Sequence, residues 1–223
     1  MPASTRQPAV LFDLDGTLTN PFVGITRSMQ FALGELGEPV PDTDTLRQYI
    51  GPPLQVTFPI LFKGDAARAN EALRLYRQRY AEIGKFENEL IPGIVDALQP
   101  VRETGCFLSV ATSKLESYSR DIIAHFGLNQ YFDAVHGSQL DGARADKSEL
   151  IAHIAASEGL DPARTVMIGD RLHDVHGASK NGIPTIGVLW GFGDRSELEQ
   201  AGAAAIAERP DQLPGLIASF LIR

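Results

Sequence analysis

Asp13 and Asp15 stand one residue apart, directly after a short apolar run at residues 9–12. Such a run is typical of a buried strand, and period-two alternation places both carboxylates on the same side of it. Two neighbouring anions are unfavourable unless a cation or a proton lies between them. The pair therefore suggests metal binding and proton transfer, although a strand that ends in an Asp-Gly turn is the alternative and is a very common arrangement.

A second carboxylate pair, Asp170 and Asp174, follows the apolar run at residues 166–169. Residues four apart can face the same way across the following turn. Hard oxygen ligands of this kind suit Mg²⁺, which binds through a few carboxylates, waters and substrate phosphates. A helix capped by Asp170, with Asp174 on its surface, is the alternative, and both interpretations can hold together.

Three further polar residues lie between the two pairs. Thr112 and Ser113 follow the apolar run at residues 107–111, where they are predicted to open a helix. Free backbone N–H groups at a helix start favour an anion, although the same two residues fit a simple helix cap. Lys147 is the first residue of a helical pattern at residues 147–158, and a lone lysine at the start of a helix is ordinarily a solvated surface residue.

Composition limits the class of protein and its partners. The chain has 223 residues, of which 43% are apolar and 22% are charged, as expected for one large globular domain or a domain with an insert. A net charge of -8 argues against a nucleic acid polymer or an anionic membrane as partner, so any anion site must be built locally. The single cysteine, Cys106, excludes an intrachain disulfide. Without a signal-peptide pattern or a membrane-length apolar run, we expect a cytoplasmic protein.

The elements that position these residues alternate between strands and helices. Six short apolar runs are predicted as strands, at residues 10–14, 107–111, 134–136, 165–169, 185–189 and 204–207. This order indicates an α/β fold with a Rossmann-like three-layer core around a mostly parallel sheet. Ligands of such sheets gather beyond the carboxyl ends of the strands, which is where the polar residues fall.

One long segment breaks this alternation. Residues 22–87 contain no convincing strand, whereas residues 22–36 and 65–83 have helical periodicity, and Gly51 and Pro52 interrupt the chain between them. We interpret the segment as an inserted all-helical cap domain at 19–89, with the core domain formed by 1–18 and 90–223. Ordinary crossover helices are the alternative, but a crossover needs far fewer residues. A helical insert beside a catalytic loop can act as a lid.

The ordered set D-x-D-G-T, Thr, Lys and G-D-x-x-x-D resembles the haloacid dehalogenase-like hydrolase superfamily over the whole chain. The insert resembles the cap of the phosphoglycolate phosphatase-like branch. Within that branch the chain is most similar to a bacterial 5′-nucleotidase-like group. This closer match rests on the runs YIGPPL at 49–54, FENELIPG at 86–93, ATSK at 111–114, GSQLDG at 137–142, GDRLHD at 169–174 and GVLWGFG at 187–193.

The resemblance implies a Mg²⁺-dependent hydrolase of a small phosphorylated metabolite that works through an aspartyl-phosphate. Asp13 would be the nucleophile, and Asp15 would be the general acid and base. Thr112 and Lys147 would contact the phosphoryl group. The metal would be held by Asp13, the backbone carbonyl of Asp15, Asp170 and Asp174. The phosphate-binding set would comprise Gly16, Thr17, Thr112, Ser113 and Lys147.

The cap would choose the substrate in this branch. Gly51 and Pro52 match the position of a substrate-facing cap loop, and Arg27 and Arg47 are candidate substrate contacts, with solvated helix surface as the alternative for both arginines. A 5′-nucleotidase-like activity is the preferred prediction, and a phosphoglycolate phosphatase is the alternative. The protein is expected to be a monomer or a homodimer.

Other functions on the same fold are separable by residue. A dehalogenase needs no acid at the position of Asp15, and a phosphonatase needs a cap lysine in a recognisable motif, so both are poor fits. A phosphomutase uses the same two aspartates and stays open. A non-catalytic phosphate-binding regulator stays open too, although such proteins usually lose the nucleophile or the metal ligands, which are present here.

Overall fold

The computed structural model describes residues 7–52 and 54–221. The strands are β1 (Ala9–Phe12), β2 (Thr19–Asn20), β3 (Glu89–Leu90), β4 (Phe107–Leu115), β5 (Ala134–Ser138), β6 (Thr165–Gly169), β7 (Thr185–Val188) and β8 (Ala205–Ala207). The helices are α1 (Phe22–Glu35), α2 (Thr43–Leu46), α3 (Leu54–Leu61), α4 (Ala66–Glu82), α5 (Ile94–Glu103), α6 (Glu116–His125), α7 (Lys147–Ser157), α8 (Leu172–Lys180), α9 (Arg195–Ala201) and α10 (Leu213–Leu221).

Six strands form one sheet in the order β5-β4-β1-β6-β7-β8, and every neighbouring pair is parallel. β1 is buried on both faces, as its unbroken apolar sequence predicts. Val10 and Phe12 pack into the core formed with α5, α6 and α10, whereas Ala9 and Leu11 pack against α7 and α8. The structure thus confirms the predicted mostly parallel, three-layer α/β core.

Helices α1 to α4 lie between β2 and β3 and have an apolar core of their own. Its largest fully buried side chains include Met29, Leu46, Phe58 and Tyr80. α4 begins at the cap Asp65, whose carboxylate accepts a hydrogen bond from the backbone N–H of Arg68. The chain leaves and re-enters the core through an antiparallel pair in which Thr19 faces Leu90.

Residues 22–87 contain no strand within the described part of the chain, in agreement with the predicted helical insert. The separate apolar core and the β2–β3 pair support the proposed division of the chain. The boundaries at 19–89 and at 1–18 with 90–223 stay a prediction. Across the ranges that the structure covers, no helix has both the length and the apolar character that a membrane span requires.

Candidate active site

The polar residues meet at the carboxyl edge of the three central strands. β1 lies between β4 and β6, so the residues that follow these strands become neighbours. The backbone N–H of Asp13 donates to the carbonyl of Ile168 at 2.9 Å, which continues the ladder one residue past β1. Asp170 begins the turn directly after β6, so the two predicted carboxylate pairs come from adjacent strands.

Asp13, Asp170 and Asp174 form an acidic trio. One carboxylate oxygen from each residue lies within 4.8 Å of the others. Burial raises the pKa of Asp170 well above its ordinary value, and the charges of Asp174 and Asp13 raise it further. Burial raises the pKa of Asp174 to about 6, against the opposing effect of Lys147. One half-buried and two buried carboxylates at this spacing repel one another unless a cation lies between them.

The acidic trio fits a hard divalent cation. Oδ1 of Asp13 and Oδ1 of Asp174 are buried, and both face the ammonium of Lys147, at 2.9 and 2.7 Å. Carboxylate oxygens that converge at this spacing are available as metal ligands, and an all-oxygen set is the kind that Mg²⁺ prefers. The carboxylate of Asp15 lies outside this trio, so a metal contact from Asp15 would use its backbone carbonyl, as the resemblance implies.

The side chain of Lys147 places a positive charge beside the acidic trio. It is the first residue of α7, after the helix cap Asp146, and its side chain is buried. Its Nζ lies 2.9 Å from Oδ1 of Asp13 and 2.7 Å from Oδ1 of Asp174, and it donates to the carbonyl of Ala111 at 2.9 Å. Burial alone would lower the pKa of Lys147, but the two carboxylates outweigh burial and raise it. The ammonium therefore stays charged beside the predicted nucleophile.

Gly16 and Thr17 contact Asp170 and not the open cavity. Gly16 has a φ of +82°, and a Cβ built on it would lie 2.2 Å from Oδ2 of Asp170. The hydroxyl of Thr17 is 3.4 Å from Oδ1 of Asp170 and is fully buried. The space beside Gly16 in the Cβ direction is thus filled by a carboxylate of the acidic trio, and the role of Gly16 and Thr17 in phosphate binding stays a prediction.

Thr112 and Ser113 lie within β4, so the prediction that they open a helix is wrong. β4 continues to Leu115, and α6 begins only at Glu116. β4 pairs with β5 up to Ala111 and again at Leu115, and the register shifts between these two residues. Thr112 and Ser113 therefore lie in the irregular part of the strand. Both hydroxyl residues line the main cavity, so donors for an anion come from their own groups and not from the start of a helix.

Asp15 is paired with a lysine to which sequence analysis gave no role. Nζ of Lys114 lies 2.6 Å from Oδ1 of Asp15 and donates to the hydroxyl of Tyr80 at 2.7 Å. Burial raises the pKa of Asp15, and the charge of Lys114 partly offsets this effect. Lys114 stands in the ATSK run two residues after Thr112, which was the only signal for it. Tyr80 comes from α4 of the insert and carries no signal in the sequence.

The main cavity lies between the carboxyl edge of the sheet and the helical insert. Its polar floor is formed by Asp13, Asp15, Thr112, Lys114, Lys147 and Asp174. The insert contributes a mostly apolar and aromatic wall, formed by Ile25, Tyr49, Leu54, Leu73, Tyr76 and Tyr80. Four of the five tyrosines in the chain line this cavity, since Tyr118 of α6 joins the three from the insert.

The predicted cap loop reaches the cavity. Gly51 and Pro52 both line it, whereas Pro53 of the same loop lies outside the described residues. Arg171, in the turn between β6 and α8, donates to the carbonyl of Ile50 at 2.5 Å. Gly51 has a φ of +111°, and a Cβ built on it would lie 2.9 Å from Nη1 of Arg171. The glycine therefore permits close contact between this loop and the core.

The structure does not bring Arg27 or Arg47 into the cavity. Arg27 pairs with Glu87 at 2.9 Å, and 58% of its side chain is exposed. The guanidinium of Arg47 lies over the rings of Phe22 and Phe192, at 5.6 and 5.1 Å from their centroids. Both arginines stabilise the insert or its junction with the core. The arginines that line the cavity are Arg77 and Arg171, which sequence analysis did not select.

Comparison with known proteins gives a consistent set of relatives. Residues 10–188 match the family of haloacid dehalogenase-like hydrolases. A 5′-nucleotidase of Pseudomonas aeruginosa is 49% identical over 196 residues, which are 88% of this chain and 89% of that protein. The tyrosine-protein kinase PtkA of Mycobacterium tuberculosis is 40% identical over 88% of this chain and 67% of its own length. A phosphoglycolate phosphatase of Thiobacillus denitrificans is 29% identical over 82% of this chain and 84% of that enzyme.

The fold is also found among solved structures. The crystal structure of a predicted phosphatase from Clostridium acetobutylicum matches with a TM-score of 0.91 and 40% sequence identity. The match covers 96% of this chain and 99% of the other chain, so it includes the helical insert as well as the core.

Proposed function

This chain belongs to the haloacid dehalogenase-like hydrolase family, and we propose that it is a Mg²⁺-dependent phosphatase of small phosphomonoesters, with a nucleoside 5′-monophosphate as its preferred substrate. The observation that carries the proposal is one cavity that joins two unlike surfaces. Its floor holds Asp13, Asp15 and Lys147, and its opposite wall is aromatic. The floor supports phosphoryl chemistry, and the wall supports a substrate with a flat, apolar leaving group.

In the first step that we propose, a carboxylate oxygen of Asp13 attacks phosphorus. The bond between phosphorus and the leaving oxygen breaks, and the proton of Asp15 moves to that oxygen. The products are an alcohol, an aspartyl-phosphate on Asp13 and an ionised Asp15. Lys147, 2.9 Å from the nucleophile, and the hydroxyl of Thr112 stabilise the charge on the phosphoryl oxygens.

In the second step, water attacks the same phosphorus atom and gives its proton to Asp15. The acyl-phosphate bond breaks, so that Asp13 returns to a carboxylate and inorganic phosphate leaves. Asp15 is then protonated and ready for another cycle. The lining position of Asp15 supports this double role, because burial raises its pKa and favours the acid, whereas the contact with Lys114 favours the ionised base.

The metal site is proposed at the acidic trio of Asp13, Asp170 and Asp174, with the backbone carbonyl of Asp15 as a further ligand. When bound, Mg²⁺ reduces the repulsion between the anionic nucleophile and the anionic phosphate. The convergence of one carboxylate oxygen from each of the three residues, all within 4.8 Å of one another, supports this assignment.

The aromatic wall favours a nucleotide over phosphoglycolate. The partly exposed rings of Tyr49 and Tyr118 can bury a planar base, since base–aromatic stacking contributes about 1–3 kcal/mol, whereas Tyr76 and Tyr80 stack on each other. Phosphoglycolate has no flat group, and its carboxylate needs a free cation. Arg171 of the cavity is already paired with Glu197 at 2.8 Å, which leaves Arg77 as the remaining arginine on the wall. The Pseudomonas aeruginosa relative supports the same preference, and phosphoglycolate phosphatase stays the alternative.

The testing experiment measures phosphate release with Mg²⁺, and again with EDTA, from nucleoside 5′-monophosphates, phosphoglycolate, hexose phosphates and an aryl phosphate. We expect metal-dependent release with the highest kcat/KM on a nucleotide. A highest value on phosphoglycolate would establish the alternative. No release from any compound, by a folded protein that binds Mg²⁺, would contradict the proposal and favour a phosphomutase or a non-catalytic protein.

A further inference from the structure

Lys114 joins the predicted acid–base residue of the core to a tyrosine of the helical insert. We propose that Lys114 and Tyr80 are positioning residues that hold Asp15 in line with the leaving-group oxygen, and that Tyr80 makes this alignment depend on the seating of the insert. The inference rests on the proposed phosphatase function. It adds two residues, from β4 and α4, to which neither the motifs nor the acidic trio assign a role.

The contact is short, buried and unlike a surface ion pair. Nζ of Lys114 lies 2.6 Å from Asp15 and 2.7 Å from the hydroxyl of Tyr80, and the Lys114 and Asp15 side chains are only 7% and 14% exposed. An ammonium has three N–H donors, so these two contacts fix its orientation. With Oδ1 of Asp15 held by Lys114, the other carboxylate oxygen is left for the proton transfer.

Tyr80 is itself fixed by the core of the insert. Its ring stacks on Tyr76 with centroids 5.3 Å apart and contacts Tyr118 at 5.5 Å, and the residue is 1% exposed. Its hydroxyl therefore reaches Lys114 only when α4 is seated over the sheet. A displaced insert would leave Lys114 with one partner fewer and Asp15 less firmly oriented.

Lys147, the other lysine on the cavity floor, cannot replace Lys114. Its ammonium already contacts Asp13, Asp174 and the carbonyl of Ala111. The floor thus contains one lysine for the nucleophile and the acidic trio, and a second for the acid–base residue. This separation gives the two lysines different kinetic signatures.

The distinguishing readout is the dependence of rate on the leaving group. An alkoxide needs a proton as its bond to phosphorus breaks, whereas 4-nitrophenolate leaves without one. The value of kcat/KM reports the steps up to formation of the aspartyl-phosphate, in which Asp15 acts as the acid. We therefore compare kcat/KM of Lys114→Met and Tyr80→Phe with the wild type on a nucleoside 5′-monophosphate and on 4-nitrophenyl phosphate.

Loss of general acid catalysis typically costs about 10²–10⁴-fold. We expect Lys114→Met to lose about 100-fold on the nucleotide and less than about 10-fold on the aryl phosphate, mainly in kcat and not in KM. Tyr80→Phe, which keeps the ring stack, should show the same asymmetry with a smaller loss. Lys114→Arg should recover part of the activity on the nucleotide. Equal losses on both substrates, or a loss confined to KM, would overturn the proposal.

Two further variants separate the possible failures. Arg74→Met removes an exposed ion pair within α4, since Arg74 contacts Glu71 at 2.7 Å, and it should leave the rates on both substrates unchanged. Asp15→Asn should show the full asymmetry; if it does not, the acid role of Asp15 and hence the proposed function fails first. If Lys114→Met does not fold, Tyr80→Phe decides alone, and equal rates of this variant and the wild type on the nucleotide would refute the role of Tyr80.

Discussion

Asp170 is enclosed more tightly than any other member of the acidic trio. It is fully buried, it accepts a hydrogen bond from the backbone N–H of Phe192 at 2.7 Å, and the missing side chain of Gly16 leaves the room it occupies. Its oxygens are therefore fixed before any ligand arrives. A rigid carboxylate favours a small cation with strict geometry, because no reorganisation is needed on binding.

Gly16→Ala should weaken metal binding and activity together. The new Cβ would lie 2.2 Å from Asp170 Oδ2, and the φ of +82° is strained for alanine. We expect at least about a tenfold higher Mg²⁺ requirement, measured by titrating activity with Mg²⁺. The matched control is Gly105→Ala, which has a φ of +73° but nothing within 4 Å of its Cβ. Equal effects of the two variants would show that backbone strain alone is responsible.

Asp13→Asn should abolish turnover and leave the fold intact. The amide keeps the shape of the carboxylate but is not a nucleophile. It also removes a charge that raises the pKa of both Asp170 and Asp174, so the metal-free variant should be at least as stable as the wild type. Phosphate release and thermal unfolding in EDTA test the two parts. Turnover near the wild-type rate would refute the role of Asp13.

Stabilisation by Mg²⁺ should shrink as the pH falls from 8 to 5. The pKa of Asp174 is raised from about 3.9 in an unfolded chain to about 6 in the metal-free fold. Its ionised form therefore destabilises the metal-free protein above pH 6, and protonation relieves this repulsion as the pH falls. Protons then compete with the metal. The difference in Tm between Mg²⁺ and EDTA checks this, and a difference that grows on acidification would contradict it.

At the scale of elements, the carboxylate of Glu87 stabilises the part of the insert where the chain returns to the core. Glu87 lies two residues before β3. Its carboxylate accepts hydrogen bonds from the guanidinium groups of Arg79 in α4, at 2.8 Å, and of Arg27 in α1, at 2.9 Å. The hydrogen bond from Arg79, followed by that from Arg27, lowers the pKa of Glu87 despite partial burial. Two helices of the insert are thus joined at the point where the chain returns to the core.

Glu87→Gln should destabilise the protein by about 1–2 kcal/mol at pH 7, because Arg79 would lose its charged partner. The pKa of Glu87 is lower in the folded than in the unfolded state, so its contribution is present above about pH 4.3 and is lost as the pH falls through the folded value. Urea unfolding at pH 7 and at pH 3.5 measures both effects. Glu71→Gln, in an exposed pair with Arg74 on the same helix, should change nothing measurable.

Much of the secondary structure could be predicted because it depends on local periodicity. The strand at 165–169 and the helices near 22–36 and 65–83 agree with β6, α1 and α4. β4 was predicted too short, since its last residues are held by pairing with β5, which the sequence does not reveal.

The candidate site, too, could be predicted only in part from the sequence. Asp13, Asp170, Asp174 and Lys147 follow or begin elements and meet because the sheet order is set by the α/β topology. The contact of Lys114 with Tyr80 joins the core to the insert, and Arg47 is drawn to two aromatic rings. Contacts of this kind depend on how the insert is seated, which local patterns do not encode.

At the scale of the whole molecule, the proposed active site lies between two separately packed bodies. The side-chain contacts that join them include those from Lys114 to Tyr80, from Arg171 to Ile50 and from Lys85 to Asp121. The chain as a whole has a net charge of -8, so attraction for a phosphate must come from groups in the cavity itself.

Occupation of the site should reduce motion of the insert relative to the core. We expect Mg²⁺ with orthovanadate, a phosphate mimic, to slow amide hydrogen exchange in β2, in β3 and in the loop at residues 49–52. Strand β6, buried on all sides, serves as the internal control and should not change. Slower exchange in β6 alone, with none in β2 or β3, would show that the insert does not respond to the ligand.

The antiparallel pairing of Thr19 with Leu90 has an evolutionary consequence. Paired strands lie about 5 Å apart, so the two ends of the insert leave the core at nearly one point. A segment attached in this way can be replaced by a different helical domain without a change in the order of the strands in the sheet. Substrate preference could then change during evolution while the residues at the carboxyl edge of the sheet stay the same. If Tyr80 has the role that we propose, a replacement domain would need a residue that accepts a hydrogen bond from Lys114, as Tyr80 does here.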